Sequence, residues 1–262
     1  MVTLRRLSVA GLLAMALAPA FAPAAAAQCF AVADRALPVI RASLAQGALA
    51  SVTYLSHSSF RIESARGVSA VTDYHGYHGE GTLPDIVTMN NIHDMHFTSY
   101  PDPGISHVLR GWDPAGGMAS HDITEGDMRV RNVPTNVRGG DGTTQYNGNS
   151  IFIFEIADLC IAHLGHLHHE LTETHVAEIG RIDVLLVPTD GAYTMDHDTA
   201  AKVIEQVAAP VVVPMHFFGI DLLVSLAQRL EREYRVVHND GLTISLPLDT
   251  GGERIILVPT SR

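Results

Sequence analysis

Asp85-Ile86-Val87-Thr88-Met89-Asn90-Asn91-Ile92-His93-Asp94-Met95-His96 reads as a short buried strand that runs out into two imidazoles. Residues 85–89 follow Pro84 and form a compact apolar run, as a strand covered on both faces does. His93 and His96 are three positions apart, so one helical turn puts both on the same side. The same order of events recurs downstream. His166, His168 and His169 follow a strand pattern ending at Leu164, and His216 follows Val211-Val212-Val213-Pro214-Met215. Three separate strand ends therefore each deliver imidazole. Rigid strands fix ligands, and the loops beyond them carry function. Read singly, each His is a surface or hydrogen-bonded residue. Read together, these imidazoles describe one shared metal site.

Composition agrees with a site rather than a binding surface. The chain has 262 residues, 47% of them hydrophobic, with 22 Gly and 13 Pro. That suits one large domain with an ample core and excludes a disordered tail, a coiled coil or a collagen-like rod. Charged residues make up 17%, and the formal net charge is −11. An acidic surface repels phosphate backbones, so nucleic acid is not an expected partner. The unusual count is 15 His. Imidazole ligates metals and shuttles protons near neutral pH.

The first residues read as an address. Arg5 and Arg6 precede an apolar run over Leu7–Ala18, too short to span a bilayer but suited to a signal peptide. Pro19 breaks the run, and Ala25-Ala26-Ala27 offers a cleavage site before Gln28. Residues 1–27 are thus expected to be removed, with a periplasmic or secreted location and no membrane association afterwards. Their loss takes away two Arg and no acid, moving the charge from −11 to −13. Two cysteines remain, Cys29 and Cys160. Export permits a disulfide between them, which would pin the new N-terminus to a central strand. The other reading is two unrelated thiols, with Cys160 packed in a core strand.

Residues 28–50 read as an N-terminal helical extension, with a loose apolar stripe of Val32, Leu37, Val39, Ile40 and Leu44. Residues 51–262 read as one domain. Its first half is rich in strands: Val52–Leu55, Ser59–Ile62, Val68–Thr72, Asp85–Met89, Met128–Val133, Ser150–Ile156 and Leu159–Leu164. Residues 99–126 read mostly as loops, and Gly139 to Asn149 as a long connection. The second half interposes helices at Thr172–Ile179, Asp196–Val207 and Ile220–Glu233 between strands at Ile182–Val187, Val211–Val213, Arg235–Val237, Leu242–Leu246 and Arg254–Val258. Strands with interposed helices point to stacked sheets covered by helices.

Several phrases resemble one family. Val52-Thr53-Tyr54-Leu55-Ser56-His57-Ser58-Ser59-Phe60, Val71-Thr72-Asp73, Val133-Pro134-Thr135, Ile161-Ala162-His163-Leu164-Gly165, Asp183-Val184-Leu185-Leu186-Val187-Pro188, Tyr193-Thr194-Met195-Asp196 and Val213-Pro214-Met215-His216 are similar to the metallo-β-lactamase fold superfamily. Within it they resemble the small Zn-dependent hydrolases related to ascorbate-phosphate lactonases. The resemblance covers residues 51–218. It implies a four-layer αββα sandwich of α/β class, with metals at the sheet edge.

The departures are as informative. The family's H-x-H-x-D-H phrase reads here Asn91-Ile92-His93-Asp94-Met95-His96. Asn91 replaces the first His and Met95 the Asp. By the same resemblance the third His of the first metal site falls at Asn136, and the bridging Asp falls at His166. The family's two-metal arrangement loses its carboxylate, and His93, His96, His166 and His216 are expected to hold one ion. Four neutral imidazoles suit Zn²⁺ first and other transition metals after it. Asp73 would orient a ligand imidazole, or cap a strand end. Asn91 and Asn136 would donate to substrate, or fill space left by lost ligands. His57 would line the pocket, or be a structural imidazole. His75, His78, His168 and His169 read as solvated loop residues or an accessory site. The expected activity is hydrolysis of a small-molecule ester, lactone or related acyl substrate by metal-bound hydroxide. Two other readings stay open: a periplasmic protein that holds a transition metal without catalysis, and a metal-free relative of the same fold. The oligomeric state is not legible.

Overall fold

The computed structural model describes Cys29 and residues 47–260. The expected leader over 1–27 and nearly all of the expected helical extension (residues 28 and 30–46) lie outside the described residues. Ala50, the last residue of that extension, already belongs to a strand.

In chain order the strands of the first half are β1 (Ala50–Ser56), β2 (Ser59–Ser64), β3 (Ser69–Val71), β4 (Ile86–Met89), β5 (His107–Arg110), β6 (Asp122–Glu125), β7 (Met128–Arg138), β8 (Thr144–Ile156) and β9 (Leu159–His163). There follow α1 (Glu173–Ile179), β10 (Val184–Pro188), α2 (His197–Val207), β11 (Val211–Met215), α3 (Ile220–Leu230), β12 (Tyr234–Asp240), β13 (Thr243–Leu246) and β14 (Arg254–Thr260). They form two sheets, ordered β13-β1-β2-β3-β4-β5 and β12-β14-β11-β10-β9-β8-β7-β6. In the first, β3, β4 and β5 run parallel. In the second, β9, β10, β11, β14 and β12 run parallel.

Side-chain alternation makes the sandwich, because successive residues of a strand face opposite ways. In β10, Val184 and Leu186 join the core between the sheets, while Leu185 and Val187 join the core under the helices. In β14, Ile255 and Leu257 face inward, and Ile256 and Val258 outward. From the other sheet Val52, Phe60, Ile62, Ala70 and Ile86 close the central layer. Leu223, Leu226 and Leu230 of α3 and Ala200, Val203 and Ile204 of α2 cover the second sheet. Among the described residues no helix covers the first sheet. Its outer residues Val71, Val87 and Met89 pack instead under Tyr74, Ile105, Leu83, Phe97 and Trp112 of the loops. The layered α/β sandwich expected from the sequence is thus present.

Local signals explain the helix starts. Thr172 caps α1 in a reciprocal box with His175, and Asp196 caps α2 by accepting from the Thr199 amide. At the far end of α1, Arg131 donates to the carbonyls of Glu178 and Ile179, which have no partner within the helix. Cys29 and Cys160 form a disulfide with Cα atoms 6.0 Å apart, and the chain before the domain is thereby pinned to β9.

Residues 99–126 are mostly loops, as expected, with the short β5 and β6 set among them by pairing with β4 and β7. One expectation is corrected. The connection at 139–149 is shorter than expected, because β7 runs to Arg138 and β8 starts at Thr144. Gly148 lies inside β8, where a Cβ would stand 2.5 Å from Val137 Cγ1. It marks a close approach within a sheet, and not a turn.

Candidate metal centre

Parallel strands end together, so residues just past them meet at one edge. Asp73 follows β3, Asn90 to His96 follow β4, His166 follows β9, Asp190 follows β10 and His216 follows β11. The β1–β2 turn adds His57 and Ser58. His57, Asp73 and His216 all hold left-handed backbone, with φ of 46°, 43° and 51°. For residues other than Gly such a conformation costs about 1–3 kcal/mol and persists where the surroundings hold it. Here the His216 amide donates to the His57 carbonyl at 2.8 Å, and His163 Nε2 donates to the Ser58 carbonyl at 2.8 Å. Gly165, with φ of 60°, lets the chain leave β9; a Cβ there would sit 2.4 Å from Asn149 Oδ1 and Asn90 Nδ2.

Four imidazoles from three of these segments converge. Each of His57, His93, His96 and His216 offers a ring nitrogen, and the four atoms lie within 4.8 Å of one another. The rings of His57 and His216 are 3.9 Å apart by centroid, and those of His93 and His96 are 4.5 Å apart. His166 flanks the group at 5.0 Å from both His96 and His216.

Buried carboxylates stand behind two of the rings. Asp73 Oδ2 lies 2.6 Å from His96 Nδ1, while Asp73 Oδ1 accepts from Asn90 Nδ2 at 3.0 Å. Asp190 Oδ2 lies 3.1 Å from His216 Nδ1, close enough for attraction but off the line of a good hydrogen bond. Asp190 Oδ1 accepts the amides of Ala192, Tyr193 and Thr194, and Oδ2 accepts the Thr194 hydroxyl. A carboxylate at Nδ1 keeps the proton there and turns the bare Nε2 inward.

The electrostatics favour neutral rings. Burial, then the neighbouring imidazoles, push His57 down to about 3, His93 to about 4 and His166 to about 2. Burial pushes Asp73 up, but His96, His163 and the hydrogen bonds from His96 and Asn90 outweigh it and hold it below the usual carboxylate range. Asp190 is likewise raised by burial and lowered further by His216, Thr194 and the loop amides. At neutral pH His57, His93 and His166 are therefore neutral donors, with the anions Asp73 and Asp190 beside the centre.

That donor set fits a transition metal. His57 Nε2, His96 Nε2, both nitrogens of His166 and both of His216 are buried with no hydrogen-bond partner. Buried polar atoms are nearly always satisfied, so unpartnered imidazole nitrogens gathered this closely fit the ligation of a cation.

The remaining expected residues fall as follows. Asn91 lines a neighbouring cavity of about 270 Å³. Asn136 lies away from the cluster: its amide donates to His169 Nε2, its carbonyl meets His168 Nδ1, and Oδ1 accepts from the Asn147 amide. His169 uses its other nitrogen on the Glu170 carbonyl, so that ring is structural. His75 Nδ1 approaches the Asp73 carbonyl at 3.4 Å. His78 leaves a buried Nδ1 without a partner, away from the group of four. Sequence reasoning missed Asp190, Asn90 and His163. Asp190 had a signal, a carboxylate two residues past a buried strand. Asn90 and His163 had none that separates them from core residues.

Residues 51–216 match the beta-lactamase superfamily domain. A UPF0173 metal-dependent hydrolase of Methanoculleus marisnigri is 25% identical over 225 residues, 79% of this chain and 97% of that protein. One of Carboxydothermus hydrogenoformans is 34% identical over 79 residues, 30% of this chain and 35% of the relative. Among solved structures, a metallo-beta-lactamase superfamily protein of Thermotoga maritima superposes with a TM-score of 0.58 at 23% identity, covering 80% of this chain and all of the other. Igni18, a metallo hydrolase of Ignicoccus hospitalis, gives 0.54 at 18% identity, covering 76% of this chain and 99% of its own. At these identities the two structures speak to the fold alone.

Proposed function

The chain belongs to the beta-lactamase superfamily, and from that premise we propose that it is an exported metal-dependent hydrolase of small esters, lactones or related acyl compounds. The metal is one transition-metal ion, zinc first, held by His93, His96 and His216 with a fourth imidazole from His57 or His166. The observation that carries this reading is the convergence of orphaned imidazole nitrogens at one strand edge. The matching relatives are metal-dependent hydrolases.

A divalent ion at this centre supplies Lewis acidity and an activated water. The protein does the rest. Asp73 fixes His96, and Asp190 faces His216, so two ligand rings are aimed before any ion enters. The same two carboxylates balance the charge of a divalent ion, which four neutral rings cannot do. Of His57 and His166, the one outside the coordination set stays a neutral imidazole at neutral pH, held so by burial and by its neighbouring rings. The Cys29–Cys160 disulfide supports export, since such bridges persist in oxidising compartments.

Metal analysis of protein purified without chelator tests the centre, and a panel of esters, lactones and phosphodiesters tests the reaction. One ion per chain, with turnover lost in His93→Ala, supports the proposal. A second reading, metal holding without turnover, draws on the lack of a carboxylate among the four grouped ligands: four protein ligands close a tetrahedral site. Loaded protein that is inert across the panel favours that reading, and protein that emerges empty sinks both.

A further inference from the structure

We propose that Phe218 and Tyr193 form an aromatic subsite beside the metal centre that binds an uncharged, apolar and preferably planar group of the substrate. This deepens the hydrolase reading and rests on it.

Phe218 is 65% exposed and Tyr193 67% exposed. Single exposed hydrophobic residues need no explanation. These two are not single. Their ring centroids are 5.8 Å apart, with planes at 76°. The Phe218 ring also lies 5.8 Å from the ring of His216 and 5.9 Å from that of His57. The Phe218 ring thus stands against two of the four grouped imidazoles, Tyr193 stands against Phe218, and both rings keep most of their surface in water.

The pair is also held in place. Phe218 lies two residues past His216, whose amide is bonded to the His57 carbonyl. The Tyr193 amide and its two neighbours are bonded to Asp190 Oδ1. Rings on a fixed backbone lose little freedom when a ligand arrives. Edge-to-face geometry leaves ring surface open to a third planar group.

The charged groups nearest the imidazoles are carboxylates. The groups acting most strongly on His57, His93 and His166 are other imidazoles and the carboxylates Asp73, Asp94 and Asp190. The cavity next to Asn91 is lined by Trp112, Gln145 and Asn147, with Asp113 as its charged residue.

The test compares N-benzylacetamide with N-propylacetamide, which share one polar group, by NMR titration of the full mature chain with and without zinc. The benzyl compound should bind about five- to tenfold more tightly, the range an added aromatic contact supplies. Phe218→Ala and Tyr193→Ser should each bring the ratio to within about twofold, whereas Phe218→Tyr should retain it. Equal affinities in the unmodified protein, no saturable binding of the benzyl compound, or an unchanged ratio in both truncations overturns the subsite. So does a dimer in solution whose interface covers Phe218. Because the ratio is a binding measurement, also made without zinc, it is independent of turnover. Failure of the ester panel strikes the hydrolase reading and leaves the ratio to be read separately.

Discussion

Asp73 Oδ2 lies 2.6 Å from Nδ1 of His96, and both side chains are fully buried. A carboxylate in that position fixes ring orientation and tautomer together, leaving His96 Nε2 as the ligand atom. Asp73→Ala is expected to weaken metal binding about 10- to 100-fold, measured by competition with a chromophoric chelator. Asp190→Ala acts on His216 across a longer and less aligned contact, so its effect should be smaller. Wild-type affinity in Asp73→Ala would falsify the orienting role.

Metal should also stabilise the fold. At a free concentration of one hundred times Kd, an ion that binds only the folded state adds about 2.7 kcal/mol. Thermal melts with excess zinc and with excess chelator should differ accordingly. The difference should vanish in His93→Ala.

The metal-free protein should lose stability on acidification well before ordinary carboxylates titrate. His57, His93 and His166 have folded values of about 3, 4 and 2, below the ordinary imidazole value. Between about pH 6.5 and those values the unfolded chain binds protons that the folded chain refuses. Stability therefore falls as pH drops through about 6.5. Asp73 and Asp190, lowered in the fold, add a further loss below about pH 4. Denaturant melts between pH 7.5 and 4.5 test the sign; His166→Gln should flatten the slope.

Arg131 joins three elements. Its side chain bonds Glu155 on β8 and the last carbonyls of α1, and both charged side chains are nearly fully buried. Removing one partner of a buried pair costs about 3–5 kcal/mol. Arg131→Met should show a loss below that range in urea melts, because Arg129 Nη1 still reaches Glu155 Oε2 at 3.1 Å. Adding Glu155→Leu should recover part of it.

The disulfide closes a long stretch, its cysteines lying 131 positions apart. In the chain-entropy picture such a crosslink is worth roughly 5 kcal/mol. Reduction, or Cys29→Ser with Cys160→Ser, should lower the melting temperature by several degrees. An unchanged melt would show that the unfolded chain gains nothing from release.

Much of the scaffold was legible because buried strands announce themselves by composition. β4, β9, β10 and β11 are apolar runs closed by turn residues, and α1 and α2 begin at residues that cap helices. β5 and β6 were not legible, since each is only four residues long and exists through its neighbour. Gly148 was misread as loop because sequence does not show the Val137 side chain packed over it.

At the centre, the sequence by itself determined that imidazoles lie beyond separate strand ends, since strand and ligand are encoded within a few residues of each other. Only the tertiary structure decided which rings meet. It grouped His57 with His93, His96 and His216, left His166 at the flank, and set Asp190 behind His216. Those relations join residues up to 159 positions apart, His57 and His216 being the widest pair. Strand order and backbone twist at positive φ fix them, and neither is written in any local pattern.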